Sequence, residues 1–190
     1  MKKIFVATMI LILMVGCSAK TDTNEEKNKG KDNEEKKISV IDKLPNFPMP
    51  LNTFVKEFND NAKSNKDVFN KIILLQNPSK LEFKPMNEKD GPLHKVLYTN
   101  DTFNINAVFT NDKQFKRVTF VQMSKPDTDT TSALLNIFSI LDIDSNYLND
   151  FLESDEKHMS ISEKGYKVIF SQDMSMYLLT VSFEKDNNKK

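Results

Sequence analysis

Apolar residues change their spacing three times along this chain, and each change predicts a different element. Leu51, Phe54, Val55, Phe58 and Ala62 follow the i, i+3, i+4, i+7 rule, while Lys56, Glu57 and Asp60 lie off that stripe. The spacing predicts an amphipathic helix starting near Asn52, a good capping residue, after an approach punctuated by Pro45, Pro48 and Pro50. Val68, Phe69, Ile72, Ile73 and Leu75 extend the helical reading over 67–76, with a strand over 71–76 as the alternative, and Asn77-Pro78 stops either one. From Lys80 the period becomes two. Leu81 and Phe83 alternate with Glu82 and Lys84, Asp90-Gly91-Pro92 reads as a turn, and 95–99 reads as a short strand. Phe103, Ile105, Ala107 and Phe109 then alternate with polar neighbours. A turn at Asn111-Asp112-Lys113 leads into 115–123, where Val118 and Phe120 oppose Arg117, Thr119 and Val121. Helical spacing returns at Ala133, Leu134, Ile137, Phe138 and Leu141, capped by Pro126-Asp127-Thr128-Asp129. A short helix over 145–153 carries Tyr147, Leu148, Phe151 and Leu152. Strands over 165–171 and 174–183, joined by a turn at Gln172-Asp173, close the chain.

Hairpin-linked strands outnumber helices. The expected class is therefore α+β: one antiparallel sheet of about six strands with two to four helices on one face. Apolar residues run from Ile38 to Phe183, about 145 residues, enough for one core. Fourteen Phe and no Trp make that core one of Phe, Leu, Ile and Met. The element order resembles cystatin-like and other small sheet-and-helix folds, as an architectural likeness that implies no activity.

The first residues follow another logic. Met1-Lys2-Lys3 precede an apolar run from Ile4 to Val15, and Gly16-Cys17-Ser18 follow. Twelve residues make a helix of about 18 Å, too short for a hydrocarbon core of roughly 30 Å, so the run fits a cleaved export signal. The stretch Met14-Val15-Gly16-Cys17 resembles the lipobox of bacterial lipoproteins, with Met14 where that family usually has Leu. The resemblance covers residues 1–20. It implies cleavage between Gly16 and Cys17, a diacylglyceryl group and further palmitate-like acylation on Cys17, and anchoring at the outer face of the cell membrane. Cys17 is the only cysteine, so no internal disulfide is available and an acceptor role explains a lone exported thiol. Two acyl chains hold stably where one is marginal.

Residues 18–37, SAKTDTNEEKNKGKDNEEKK, have no aromatic or branched aliphatic side chain and predict a disordered spacer. Twenty such residues span about 25 Å root-mean-square and about 70 Å fully extended. Over 18–43 seven lysines balance seven acids, so the run is not the polybasic patch that binds anionic lipid. The organisation is thus a signal over 1–16, a lipidated tether over 17–43, one globular domain over 44–185 and a polar tail over 186–190. The chain carries 27 basic and 27 acidic side chains; losing Lys2 and Lys3 with the signal leaves 25 against 27. That balance provides no basic face for nucleic acid. Lys and Asn abound and Arg117 is the sole arginine, a bias common in AT-rich genomes and suited to a Gram-positive surface.

Candidate chemistry is sparse. His94 and His158 show no metal-ligand spacing, and both are expected on the surface. No Gly-x-Ser-x-Gly elbow occurs, and four glycines build no phosphate loop. Asp142, Asp144, Asn146 and Glu153 occupy the first, third, fifth and twelfth places of a calcium loop, but Tyr147 stands at the sixth, where the turn calls for Gly. The simpler expectation is that Asp142, Asp144 and Ser145 end one helix and cap the next. Met174 and Met176 resemble a copper pair and are expected to fill core instead. No catalytic residue, metal or cofactor is assigned.

The expected function is therefore a non-enzymatic, membrane-anchored lipoprotein whose domain binds a protein or envelope ligand. Two alternatives stand beside it: a surface enzyme with dispersed catalytic residues, and an exclusion or immunity lipoprotein of a mobile element. An exposed edge at 103–109 would add capture of a partner strand.

Overall fold

The computed structural model describes residues 39–66, 72–86 and 91–187. The signal-like run, Gly16, Cys17 and the tether up to residue 38 lie outside the described residues. So do 67–71, the first half of the second expected helix, 87–90 and 188–190.

Helix α1 (Leu51–Ser64) buries Phe54, Val55, Phe58 and Ala62, the stripe expected of it. A two-residue strand β1 (Lys84–Pro85) leads to β2 (Leu93–Thr99), β3 (Phe103–Phe109) and β4 (Phe115–Gln122). Helices α2 (Thr128–Ile140) and α3 (Asn146–Glu153) follow, then β5 (His158–Glu163), β6 (Tyr166–Asp173) and β7 (Leu178–Lys185). All seven strands form one antiparallel sheet in the order β1-β2-β3-β4-β7-β6-β5. The class is α+β with a single sheet, of seven strands rather than six. The additional strand is β5, over a span for which the sequence predicts no element.

The pairing register sorts the side chains onto two faces, because residues opposite each other in a ladder point the same way. Ile105, Phe120, Val181 and Phe170 form one cross-sheet row, and Ala107, Val118, Phe183 and Val168 the next. All eight are buried in one cluster with Phe54, Phe58, Phe138 and Phe151. Phe138 of α2 lies 6.2 Å from Phe170 and 5.3 Å from Phe183, and Phe151 of α3 lies 5.3 Å from Phe170, so α2 and α3 roof the β6–β7 part of this face. Phe47 joins the approach segment to the same core through Phe54, Phe115 and Tyr166. The N-terminus of α2 is capped as expected: Asp127 Oδ1 accepts from Thr130 N at 2.7 Å and from Thr130 Oγ1 at 2.6 Å.

Residues 72–76 are neither helix nor strand. Their burial alternates, with Ile73 and Leu75 inside and Ile72, Leu74 and Gln76 outside, which is an extended pattern. Side-chain and single backbone bonds replace a ladder. Asn59 of α1 clamps Leu75 from both sides, donating to its O at 3.0 Å and accepting from its N at 2.7 Å. Gln76 N donates to Leu97 O at 2.9 Å. Leu97 is the extra residue of a bulge between Val96 and Tyr98, and a bulge frees a carbonyl for such a bond. The chain then passes a 3-10 turn (Pro78–Lys80), whose Pro78 O accepts from Lys95 Nζ at 2.8 Å, and reaches β1. The expected strand over 80–84 shrinks to β1 because only Lys84 and Pro85 pair with β2.

At the other end, Gln172 and Asp173 do not turn; they still pair with Leu179 and Leu178. The reversal is a 3-10 turn (Met174–Met176) plus Tyr177 at φ 52°, with Asp173 Oδ1 accepting from Ser175 N and Oγ. Met176 is 59% exposed, so it does not fill the core.

Candidate functional site

The second face of the sheet carries the polar half of each alternation. One row across it reads Ser160, Ile169, Ser182, Thr119, Asn106 and Val96; a second reads Ser162, Lys167, Glu184, Arg117, Val108, His94 and Lys84. Hydroxyls and one amide prevail in the first row and charged groups in the second. Thr119 Oγ1 and Ser182 Oγ lie 3.4 Å apart, and Asn106 Nδ2 donates to Asn104 Oδ1 at 2.6 Å. Within the second row Arg117 Nε donates to Glu184 Oε2 at 3.0 Å, and Arg117 Nη2 meets the same oxygen. Glu184 is 4% exposed and Val108 2%, so this part of the face is closely covered by its own side chains. A carboxylate that buried needs its partner; Arg117 supplies two donors in one plane.

Where this face meets the strap over 76–84, a half-open cleft of about 540 Å³ forms. The strap contributes Gln76, Lys80, Leu81, Glu82 and Lys84, β2 contributes His94, Val96 and Thr99, and β3 contributes Asn104 and Asn106. The strap stands there for the reasons given above: Asn59 fixes it to α1, Gln76 hangs it on the bulge carbonyl, and Lys95 draws Pro78 in while lying 4.3 Å over the Phe83 ring. Its size falls within the range of small-ligand sites, although the lining is more polar than most.

His94 is the titratable centre of this cleft. It lies in β2 opposite Lys84 and Val108 rather than free on the surface near a turn. Burial lowers its pKa below the ordinary histidine value, the Lys84 ammonium lowers it further, and a hydrogen bond with the Lys84 backbone partly opposes both. Its Nδ1 is buried and lacks a partner within the protein, and two lysines against Glu82 make the surrounding charge positive.

No family model, no curated protein and no solved structure matches this chain.

The other sequence-predicted positions do not converge here. Asp142 has φ 54° and meets Lys164 Nζ at 3.1 Å. Asp144 accepts from Asn146 N at 2.9 Å, so its carboxylate, not the Ser145 hydroxyl, holds the first turn of α3. Glu153 is the last residue of α3, and the helix occupies most of what would be a calcium loop. Among the described residues no group of three or more His, Cys, Asp or Glu is placed to hold a metal. His158 opens β5 and is exposed. Gly16 and Cys17 lie outside the described residues. The cleft residues Asn104, Asn106 and Thr99 had a visible signal, the polar positions of an alternating meander. Glu82 had the same signal, whereas Gln76 and Lys80 had none, since strap placement depends on long-range bonds.

Proposed function

We propose that this chain is a lipid-anchored, extracytoplasmic binding protein. Cleavage before Cys17, acylation of its sulfur and a charged tether that ends before the 3-10 turn Ile41–Lys43 put a single domain at the outer face of the cell membrane. The domain's open sheet face and the His94 cleft receive a polar protein or envelope ligand. The observation that carries the binding site is the cleft: a 540 Å³ concavity with amide donors, two lysines and an unpartnered imidazole nitrogen. The address is supported by Met14-Val15-Gly16-Cys17 and the run before it. A cystatin-like arrangement belongs to the same proposal, supported by the order of one helix, a meander, then further helices and strands; it carries no activity with it. An exclusion or immunity role differs only in the partner bound.

Two experiments test it. Metabolic labelling with a palmitate analogue should mark the wild-type protein and leave Cys17→Ser unmarked and shed to the medium; an unmarked wild type overturns the anchor. Capture from cross-linked membranes should recover the same ligand with wild type and Cys17→Ser, and lose it with Asn106→Arg, which fills the cleft. Equal recovery by Asn106→Arg overturns the site.

An enzymatic reading rests on His94 alone. Its lowered pKa keeps the imidazole neutral and able to accept a proton at neutral pH. Turnover of any envelope ligand that vanishes in His94→Gln would establish it.

A further inference from the structure

Strand β5 ends the sheet. It pairs with β6 alone, and its side chains alternate exposed and half-buried from His158 to Glu163. The strand over 103–109, considered as an edge that could capture a partner strand, is β3, an interior strand held by β2 and β4. Glu163 pairs with Tyr166 across a two-residue turn in which Lys164 (φ 50°) and Gly165 (φ 82°) both have positive φ. Such a turn closes on a hydrogen-bonded pair, so the odd residues of β5 bond to β6. The bond from Gln172 N to Lys157 O, at 3.0 Å, continues that pattern. The backbone groups of His158, Ser160 and Ser162 therefore point outward.

The edge reads Glu156-Lys157-His158-Met159-Ser160-Ile161-Ser162-Glu163-Lys164, and it is complementary to itself in reverse. With Ser160 opposite Ser160 of a second copy, Lys157 faces Glu163, Glu156 faces Lys164, Met159 faces Ile161 and His158 faces Ser162. The residues in each pair share a face, so both sheets keep their cores on one side. Shifting the centre to Ile161 puts His158 against Lys164 and Met159 against Glu163. Shifting it to Met159 puts Asp155 against Glu163. One register alone satisfies every charge. Lys164 already meets Asp142 and Glu163 accepts from Asp144 N, but Lys164 keeps two further donors and Glu163 its second oxygen.

We propose that β5 is a self-recognition edge: two copies of this chain join antiparallel strands about a two-fold axis at Ser160, making one continuous sheet of fourteen strands. A nine-residue pairing is small for an interface, so association grows with the crowding of copies on one surface.

Cysteine cross-linking of the full chain tests the register, on cells producing it and on purified protein at rising concentration. Ser160→Cys should give a disulfide-linked dimer under mild oxidant, because directly opposed hydrogen-bonded residues have Cα atoms about 5.5 Å apart. Ser162→Cys should stay monomeric, its counterpart lying about 13 Å away along the strand. The double variant His158→Cys with Ser162→Cys should cross-link again. Lys157→Glu in the Ser160→Cys background should abolish the product, and adding Glu163→Lys should restore it. Cross-linking through Ile161→Cys or Ser162→Cys as readily as through Ser160→Cys overturns the proposal. So does a Ser160→Cys protein that remains monomeric with an unchanged circular dichroism spectrum.

Discussion

At the scale of single residues, hydrogen bonds lower the pKa of Asp127 and burial lowers that of His94. Asp127 was named as a cap from its neighbours, and the structure gives it two bonds to Thr130, whose hydrogen bonds hold its carboxyl below the ordinary range. His94 stands near the Asp90-Gly91-Pro92 turn, which is why the sequence predicts it on the surface. What covers it is Lys84 and the strap, brought there by Asn59, Leu97 and Lys95. That burial has a measurable consequence. The folded state resists protonating His94, whereas the unfolded chain takes up the proton near the ordinary value of about 6.5. Below that value the unfolded state binds more protons, so stability falls as pH drops, until the folded histidine itself titrates. Above it the group is neutral in both states and contributes no slope. Urea midpoints measured between pH 7 and pH 5 should therefore decline in the wild type, and His94→Gln should flatten that decline. An identical slope in the variant would mean that other groups produce it.

At the scale of elements, periodicity located α1, β3, β4, α2, α3, β6 and β7, each of which buries a stripe or a face. It failed where burial is partial or where a bond replaces a ladder. Residues 72–76 bury two of five side chains and are held by Asn59 and Gln76, so their apolar content was consistent with helix or strand. Strand β5 has two apolar residues in six, since an edge strand packs only Met159 and Ile161 against the core. Its hairpin carries the clearest element-level prediction. Gly165 sits at φ 82° with nothing within 4 Å of an added methyl group, so Gly165→Ala suffers only the backbone penalty, about 1 kcal/mol. Lys164 also has positive φ, and Asn tolerates that region better. Thermal unfolding should shift down by about 3 °C for Gly165→Ala and up by a smaller amount for Lys164→Asn. If the two variants moved the midpoint in the same direction, the turn would not have the conformation described.

At the scale of the whole molecule, the two edges of the sheet are treated differently, and the candidate functions divide along that line. A free strand edge is a template for association, and proteins cover, shorten or charge such edges. On the β2 side the strap does the covering: it satisfies the Leu97 carbonyl, leaves a two-residue β1 outermost, and encloses the cleft as it crosses. On the β5 side charge alone guards the edge, and the signs alternate so that they repel most strands yet match their own reverse. The proposed ligand cleft thus lies at one end of the sheet and the proposed self-recognition edge at the other, with the Arg117–Glu184 pair of β4 and β7 between them. Amide exchange separates these roles in one measurement. Amides of β3, β4 and β7, bonded on both sides, should exchange slowest at any concentration. Those of His158, Ser160 and Ser162 should be fast in dilute protein and slow down as concentration rises. Gln76, bonded to Leu97, should stay protected throughout and respond only to Asn59→Ala, which unclamps the strap. Concentration-independent exchange at Ser160 would leave β5 an edge that charge merely defends, and the cleft would remain the sole recognition surface argued for.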